Sequence, residues 1–253
     1  MEQVSERKFF SSTRIAVIAM FSTIPGILYI FNFAMPFAFP SFLDFKFSDI
    51  PVLIGSFVLG PVSAAIIVVV QILIKLVIEG TTTNFVGELS DLLTCCAFAV
   101  TAGAIYAKKR TFKGALIAIA VGTVCEVAVA ILSNWLVLVP FYVSFFFGGS
   151  WDPLIGMMTP LFPSCTRETF YNFYLWVSVL PFNLLRCIVA AVVTILVYKR
   201  ISILINRFND KLQPKEGQEV KAKKINYAVL FSALGVVLLL VLFALLRFFV
   251  FAD

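Results

Sequence analysis

The sequence contains no histidine. Histidine is the commonest general base, the commonest metal ligand and the usual partner of a catalytic serine or cysteine. Its absence therefore argues against most hydrolytic and metal-dependent chemistry. The five cysteines lie mostly in apolar runs and lack the spacing of metal ligands: Cys95, Cys96, Cys125, Cys165 and Cys187. We expect buried free thiols and no metal site.

Charged residues are also scarce, at 13% of the 253 residues, whereas 61% of the residues are hydrophobic. Soluble domains contain roughly 45–50% apolar residues, so the surplus here needs an apolar solvent. A bilayer core requires roughly 20 apolar residues per helix, and one membrane domain therefore uses nearly the whole chain. The sequence has no Gly-x-x-x-x-Gly-Lys-Ser/Thr segment to cradle ATP phosphates. Active transport would then need an ion gradient or another subunit.

Six apolar runs predict an all-α, polytopic transmembrane bundle within residues 1–205. The predicted helices cover residues 15–33, 50–59, 61–78, 89–106, 115–143 and 174–198. The second and third helices separate at Gly60-Pro61, because proline cannot continue a helix without losing a backbone hydrogen bond. Glycine and proline recur along residues 145–172, which predicts a long loop without regular helix. A basic linker at 206–225 and a seventh transmembrane helix within 226–253 complete the prediction.

The basic residues predict the orientation of the chain in the cell membrane. Most of the 20 lysine and arginine residues fall at the N-terminus, in 108–113 and in 199–224. Placing these segments in the cytoplasm, with the N-terminus inside, satisfies the positive-inside rule. The loops predicted to face outward contain only two basic residues, Lys46 and Arg167. The net charge of +6 therefore indicates orientation rather than nucleic-acid binding.

Polar residues in or near the predicted spans are candidates for ligand binding, because burying an unpaired polar group in lipid costs several kcal/mol. They are Lys75, Glu88, Asp91, Glu126, Asn134, Asn183 and Arg186. Structural roles are open for several of them. Lys75 can extend to the outer interface, while Glu88 and Asp91 can be solvated near the surface. Glu126 and the two asparagines can join helices by hydrogen bonds.

Aromatic residues surround this polar set and complete a candidate ligand site. We predict further ligand contacts at Phe45, Phe47, Asp49 and Trp135. Such aromatic residues also form interfacial belts, and that alternative stays open. Apolar walls with a few polar groups suit a flat heteroaromatic ligand. Asparagine amides can match both the donors and the acceptors at the edge of such a ring.

Small residues form one stripe on the first predicted helix: Ser12, Ala16, Ala19 and Thr23. Their spacing of three and four residues places them on the same helix face. Small side chains let a second helix approach closely. The stripe therefore indicates either packing within this chain or docking to a partner membrane subunit.

Three motifs carry a resemblance to a known family. They are FKFSDIPVLIG at residues 45–55 with LGP at 59–61, GTTTNFVGEL at 80–89 with CAF at 96–98, and LPFNLLR at 180–186. In order and spacing they resemble the riboflavin-specific substrate-binding (S) component of energy-coupling factor (ECF) vitamin transporters. The resemblance covers about residues 12–205.

The resemblance implies a six-helix membrane subunit without catalytic activity or intrinsic cofactor, which takes riboflavin or FMN as its transported ligand. It maps the family's ligand contacts onto Asn134, Asn183 and Arg186. It also implies an energising module made of a transmembrane scaffold (T) subunit and two ATPases, with the small-residue stripe docking to the scaffold. Membrane lipid is the other partner, and nucleic acid is not expected.

Two residues depart from the pattern of this family. The family usually has lysine at Arg186 and often asparagine at Asp91. Arginine presents a fixed planar fork, which suggests the hypothesis that Arg186 favours a phosphorylated flavin. Two other function classes stay open from the residues alone. One is a secondary carrier coupled to ions through Glu126 or Arg186, and the other is a membrane-embedded enzyme.

Overall fold

The computed structural model describes residues 12–40 and 42–198, together with Arg200 and Ile203. The predicted linker at 206–225 and the predicted seventh helix within 226–253 lie outside the described residues. Within the described part, four helices are long and apolar enough to cross a membrane, and two shorter apolar helices accompany them. The prediction of a polytopic helical bundle is confirmed.

The elements follow one another in a simple order. They are α1 (Ser12–Ile30), β1 (Asn32–Ala34), β2 (Asp44–Lys46), α2 (Asp49–Leu59), α3 (Pro61–Glu79), α4 (Val86–Lys108), α5 (Phe112–Phe146), α6 (Asp152–Met158) and α7 (Asn172–Leu196). The break between α2 and α3 falls at the predicted position. Gly60 has a φ of +87°, which favours glycine, and Pro61 begins α3, where its missing N–H needs no partner.

Local hydrogen bonds fix several helix ends. The Thr111 hydroxyl accepts a hydrogen bond from the Gly114 N–H at 3.1 Å and caps the start of α5. At the same end of the bundle, the Arg14 guanidinium donates to the Leu59 carbonyl at 2.8 Å and to the Ser63 hydroxyl at 3.0 Å. Arg14 thereby joins α1 to the turn between α2 and α3, where terminal carbonyls lack helical partners.

Two features of the loops predicted to face outward differ from the sequence predictions. A two-stranded antiparallel hairpin, with Phe33 opposite Phe45, occupies the segment that we predicted as helix end and loop. Each strand has three residues, which is too short for an alternation of apolar and polar residues to be recognised in the sequence. The predicted irregular loop at 145–172 contains the short helix α6, with Pro153 in its first turn. Proline is compatible with that position, so it did not prevent helix formation.

Helices α5 and α7 contain π-helical turns near the end of the bundle that carries the hairpin. These turns are Asn134–Leu138 and Tyr142–Phe146 in α5, and Asn172–Val179 in α7. A π-helical turn inserts an extra residue into a helix and is frequent at functional sites.

The core packs tightly around α4. The Gly122 Cα lies so close to α4 that an added Cβ would meet the Phe98 carbonyl oxygen at 3.0 Å. All five cysteines are free thiols, and all but Cys125 are buried, as predicted.

Candidate functional site

A cavity of about 710 Å³ opens at the hairpin end of the bundle. The hairpin and helices α3 to α7 all contribute to its wall. Its polar lining includes Lys46, Glu88, Asp91, Asn134, Asn183 and Arg186. Apolar residues such as Leu138 and Phe182 complete the wall. Among the described residues, the cavity therefore brings together six of the seven polar residues singled out in the sequence: Lys75, Glu88, Asp91, Asn134, Asn183 and Arg186.

An ion pair lies behind the wall at Arg186. The Arg186 Nε and Nη2 atoms both donate to the Asp49 Oδ2, at 3.0 and 2.8 Å, across the contact between α7 and α2. The Cys95 thiol donates to the other carboxylate oxygen of Asp49 at 3.4 Å. Both charged side chains are buried. Asp49 thus fixes the plane of the guanidinium, and the third nitrogen, Nη1, faces the Asn183 Oδ1 at 3.4 Å.

The two asparagines are held in the same way on neighbouring helices. The Nδ2 atoms of Asn134 and Asn183 donate to carbonyl oxygens four residues earlier, those of Ala130 and Val179, each at 2.8 Å. Both asparagines are buried. An amide has two donor hydrogens and two acceptor lone pairs, so each side chain keeps one N–H for a ligand in the cavity.

A second ion pair fastens the hairpin to the bundle. The Lys46 ammonium, on β2, donates to the Asp91 carboxylate on α4 and to the Tyr29 hydroxyl at the end of α1. The Tyr29 hydroxyl in turn donates to the same oxygen of Asp91. Both ends of the ion pair are largely withdrawn from solvent. Asp91 thus connects the hairpin, α1 and α4 at the edge of the cavity.

A third ion pair joins Lys75 on α3 to Glu88 on α4, with 2.6 Å between Nζ and Oε1. The other oxygen of Glu88 accepts hydrogen bonds from the Thr81 and Thr83 hydroxyls, at 3.0 and 2.8 Å. The Lys75 ammonium also donates to the Gly80 carbonyl at 3.0 Å, so the side chain does extend toward the loop that follows α3, but it is buried and paired there. Glu126 does contact another helix, because its Oε2 accepts a hydrogen bond from the Cys187 thiol on α7.

Four of the predicted contact residues do not belong to the described cavity wall. Phe45 is buried against Phe39 and Phe182 beneath the hairpin, and Asp49 lies behind Arg186. Phe47 and Trp135 are 40% and 49% exposed, and the Phe47 ring packs against Phe33 and Phe45 of the hairpin. They thus have the placement of the interfacial-belt alternative rather than that of wall residues.

Sequence reasoning did not single out Lys46, Tyr29 or Tyr174 as members of the site. Lys46 was counted only as a charge, and the two tyrosines lie at helix ends where tyrosine is common. An available signal was the cost of burying an unpaired charge within the bundle, which requires a partner for every buried charged residue.

The small-residue stripe of α1 lies on the outside of the described bundle. Ser12, Ala16, Ala19 and Thr23 are all exposed. Large apolar residues beside them are also exposed, among them Ile15, Met20 and Ile27. The stripe therefore does not pack within the described part of this chain.

Comparisons with known proteins agree on one family. Residues 13–198 match the family model for the substrate-specific component of ECF transporters. The chain is 29% identical over 194 residues to the riboflavin transporter RibU of Staphylococcus aureus, covering 77% of this chain and 93% of that protein. It is 22% identical over 189 residues to the riboflavin transporter FmnP of Bacillus subtilis, covering 74% and 91%. A solved structure of the S component of a bacterial ECF transporter superposes with a TM-score of 0.58 at 28% identity, covering 78% of this chain and 99% of that one.

Proposed function

The chain belongs to the family of substrate-specific components of ECF transporters, and we propose that it captures riboflavin outside the cell and releases it inward. It is a multi-pass membrane protein and a transporter subunit rather than an enzyme. The observation that carries the proposal is the cavity under the hairpin, where Asn134, Asn183 and Arg186 share one wall. The hairpin end then faces outward and the N-terminus lies in the cytoplasm, in accord with the positive-inside rule.

The cavity suits the shape and chemistry of a flavin. Its volume of about 710 Å³ lies within the range of pockets that enclose small organic ligands. Leu138, Val139 and Phe182 provide apolar surface for the flat ring system. Asn134 and Asn183 keep an amide N–H each for the oxygen and nitrogen atoms at the ring edge. A coupled secondary carrier, the alternative function, is not favoured by family membership.

The charges of the cavity favour the uncharged vitamin over its phosphate. Among the described residues, seven charged ones line it: Asp44, Lys46, Lys75, Glu79, Glu88, Asp91 and Arg186. Four are acidic, and each of the three basic residues is paired with a carboxylate. A phosphate brings a charge of about −1.5 to −2 at neutral pH, so binding it would require breaking one of these pairs. We therefore do not expect Arg186 to select a phosphorylated flavin.

Titration of the detergent-purified protein tests both statements. The fluorescence of riboflavin is expected to be quenched on binding. The affinity for riboflavin should be at least about tenfold higher than that for FMN, a difference of about 1.4 kcal/mol in binding free energy. Fluorescence quenching measures both ligands under the same conditions. Failure to bind either flavin would contradict the proposed function. Tighter binding of FMN would instead show that one cation leaves its carboxylate on ligand binding, and would restore the phosphate hypothesis.

Transport requires a partner, and the exposed stripe of α1 is the proposed docking surface. We propose that it contacts a transmembrane scaffold subunit, which two ATPases energise, because this chain has no phosphate-binding loop of its own. Small residues permit the close helix approach that such a contact needs in lipid.

Replacing both Ala16 and Ala19 with tryptophan should lower riboflavin uptake about tenfold or more without changing the affinity of the purified protein. The indole rings would separate the two helices, whereas the cavity lies at the hairpin end of the bundle. Uptake by cells that also express the energising subunits is the measurement. Val192→Trp, on the exposed face of α7, is the matched control and should leave uptake near normal. Normal uptake by the double variant would rule out this docking surface.

A further inference from the structure

Two π-helical turns meet at the cavity wall and bring together Asn134 and Tyr174. Asn134 begins the turn Asn134–Leu138 in α5, and Tyr174 lies within the turn Asn172–Val179 in α7. Both side chains line the cavity. An extra residue in a helical turn changes the direction in which the following side chains point. The local geometry therefore places a tyrosine hydroxyl beside an amide from another helix, 40 residues away in sequence.

The contact between these residues fixes the amide of Asn134. The Ala130 carbonyl can only accept a hydrogen bond, so the Asn134 Nδ2 faces it at 2.8 Å and the Oδ1 faces the other way. The Tyr174 hydroxyl donates to that Oδ1 at 2.5 Å. With both ends of the amide held, its remaining N–H and its remaining lone pair have fixed directions. A preset direction lowers the cost of ordering the side chain when a ligand binds.

Tyr174 also contacts the part of the hairpin that covers the cavity. The ring of Phe42, in the turn of the hairpin, lies 5.6 Å from the Tyr174 ring between centroids. On the outer-loop side, the Phe170 ring stacks on Tyr174 at 5.3 Å. Tyr174 is 3% exposed, so its position depends on both neighbours. The same side chain thus touches the hairpin turn and orients the amide below it.

We infer that Tyr174 is a positioning residue for the flavin site, and that its hydroxyl presets the Asn134 amide for the ligand. This inference rests on the proposed function. The alternative is a purely structural role, in which the Asn134 amide only provides the hydrogen-bond partner that a buried tyrosine hydroxyl usually has. The two roles differ in one measurable way, because a positioning role acts on binding only through Asn134.

A double-mutant cycle with Tyr174→Phe and Asn134→Ala separates the two roles. In the otherwise unmodified protein, Tyr174→Phe should weaken riboflavin binding about tenfold, since the amide loses one of its two holding bonds. In the Asn134→Ala background the same change should alter affinity by less than about twofold. Tyr171→Phe removes a hydroxyl from the same segment outside the described cavity wall, and it should leave affinity unchanged.

The outcomes are distinguishable. Equal weakening by Tyr174→Phe in both backgrounds, or none in either, would overturn the positioning role while leaving riboflavin binding intact. Absence of riboflavin binding by the unmodified protein would overturn the proposed function as well. A second measurement applies if Asn134→Ala binds too weakly to titrate. The side-chain amide resonance of Asn134 in ¹⁵N-asparagine-labelled protein should shift in Tyr174→Phe and not in Tyr171→Phe, and an unshifted resonance would contradict the inference.

Discussion

Replacing Asp49 with alanine is expected to lower folding stability by about 3–5 kcal/mol and to weaken riboflavin binding at least about a hundredfold. The guanidinium of Arg186 is 5% exposed, and Asp49 is its only carboxylate partner within 4.0 Å among the described residues. The variant leaves this charge buried without a counterion. The guanidinium would then turn toward the cavity or toward water, and either movement removes its contact with Asn183. Thermal unfolding in detergent and fluorescence quenching measure the two effects.

A compensating variant distinguishes the loss of stability from the loss of function. Asp49→Leu combined with Arg186→Met removes both charges, and well-packed apolar residues often replace a buried ion pair without loss of stability. This double variant should regain most of the stability lost in Asp49→Ala but not the affinity. Glu79→Ala removes an exposed carboxylate at the rim and should change stability by less than about 0.5 kcal/mol. Unimpaired binding by Asp49→Ala would show that Asp49 does not position Arg186.

The helices of the bundle could be predicted from sequence because lipid imposes a strict requirement on apolar length. The break at Gly60-Pro61 was equally readable, since proline lacks the N–H and glycine permits the φ of +87° that the turn needs. The observed boundaries of α2 and α3 differ from the predicted ones by at most one residue. Backbone chemistry and hydrophobic length together determine this part of the structure.

The π-helical turns could not be predicted in the same way. Their residues are as apolar as those of an ordinary helix. The backbone hydrogen bonds span five residues instead of four, and this change does not alter the amino-acid composition. Yet these turns bring Tyr174 to Asn134, and so shape the part of the cavity wall that we propose contacts the ligand. Candidate residues were therefore identified by type, whereas their mutual orientation required the structure.

The ion pairs could not be predicted from the sequence for a different reason. Lys46 and Asp91 are 45 residues apart, and Asp49 and Arg186 are 137 apart, so no local spacing relates them. Asp91 and Arg186 were recognisable as costly to bury, which made a partner necessary for each without identifying it, whereas Lys46 was counted only as a charge of a loop. Asp49 was predicted to contact the ligand, and the structure places it one layer behind, against Arg186. Sequence thus indicated residue types that need polar partners, but not which of the residues face the cavity.

Replacing Asp91 with alanine should accelerate riboflavin release about a hundredfold, because this carboxylate fastens the hairpin over the cavity. It accepts hydrogen bonds from the Lys46 ammonium and from the Tyr29 hydroxyl. A hydrogen bond to a charged group contributes about 1.5–3 kcal/mol, and the variant removes two and leaves Lys46 without its carboxylate. We expect the ligand to leave past the hairpin, so the loss should fall mainly on the dissociation rate. Stopped-flow recovery of riboflavin fluorescence after dilution measures that rate.

Two further variants show whether charge or packing holds the hairpin. Asp91→Asn keeps an acceptor for both donors but loses the charge, and we expect release between the rates of the original protein and Asp91→Ala. Asp44→Asn changes a carboxylate on the same strand as Lys46 that forms no ion pair within the described residues, and should release riboflavin at the original rate. Since the Lys46 and Asp91 side chains keep 11% and 19% exposure, salt can screen the pair only weakly, and high salt should accelerate release slightly more from the original protein than from Asp91→Ala. An unchanged release rate in Asp91→Ala would mean that the aromatic contacts of the hairpin, such as Phe39 against Phe182, hold it closed without this carboxylate.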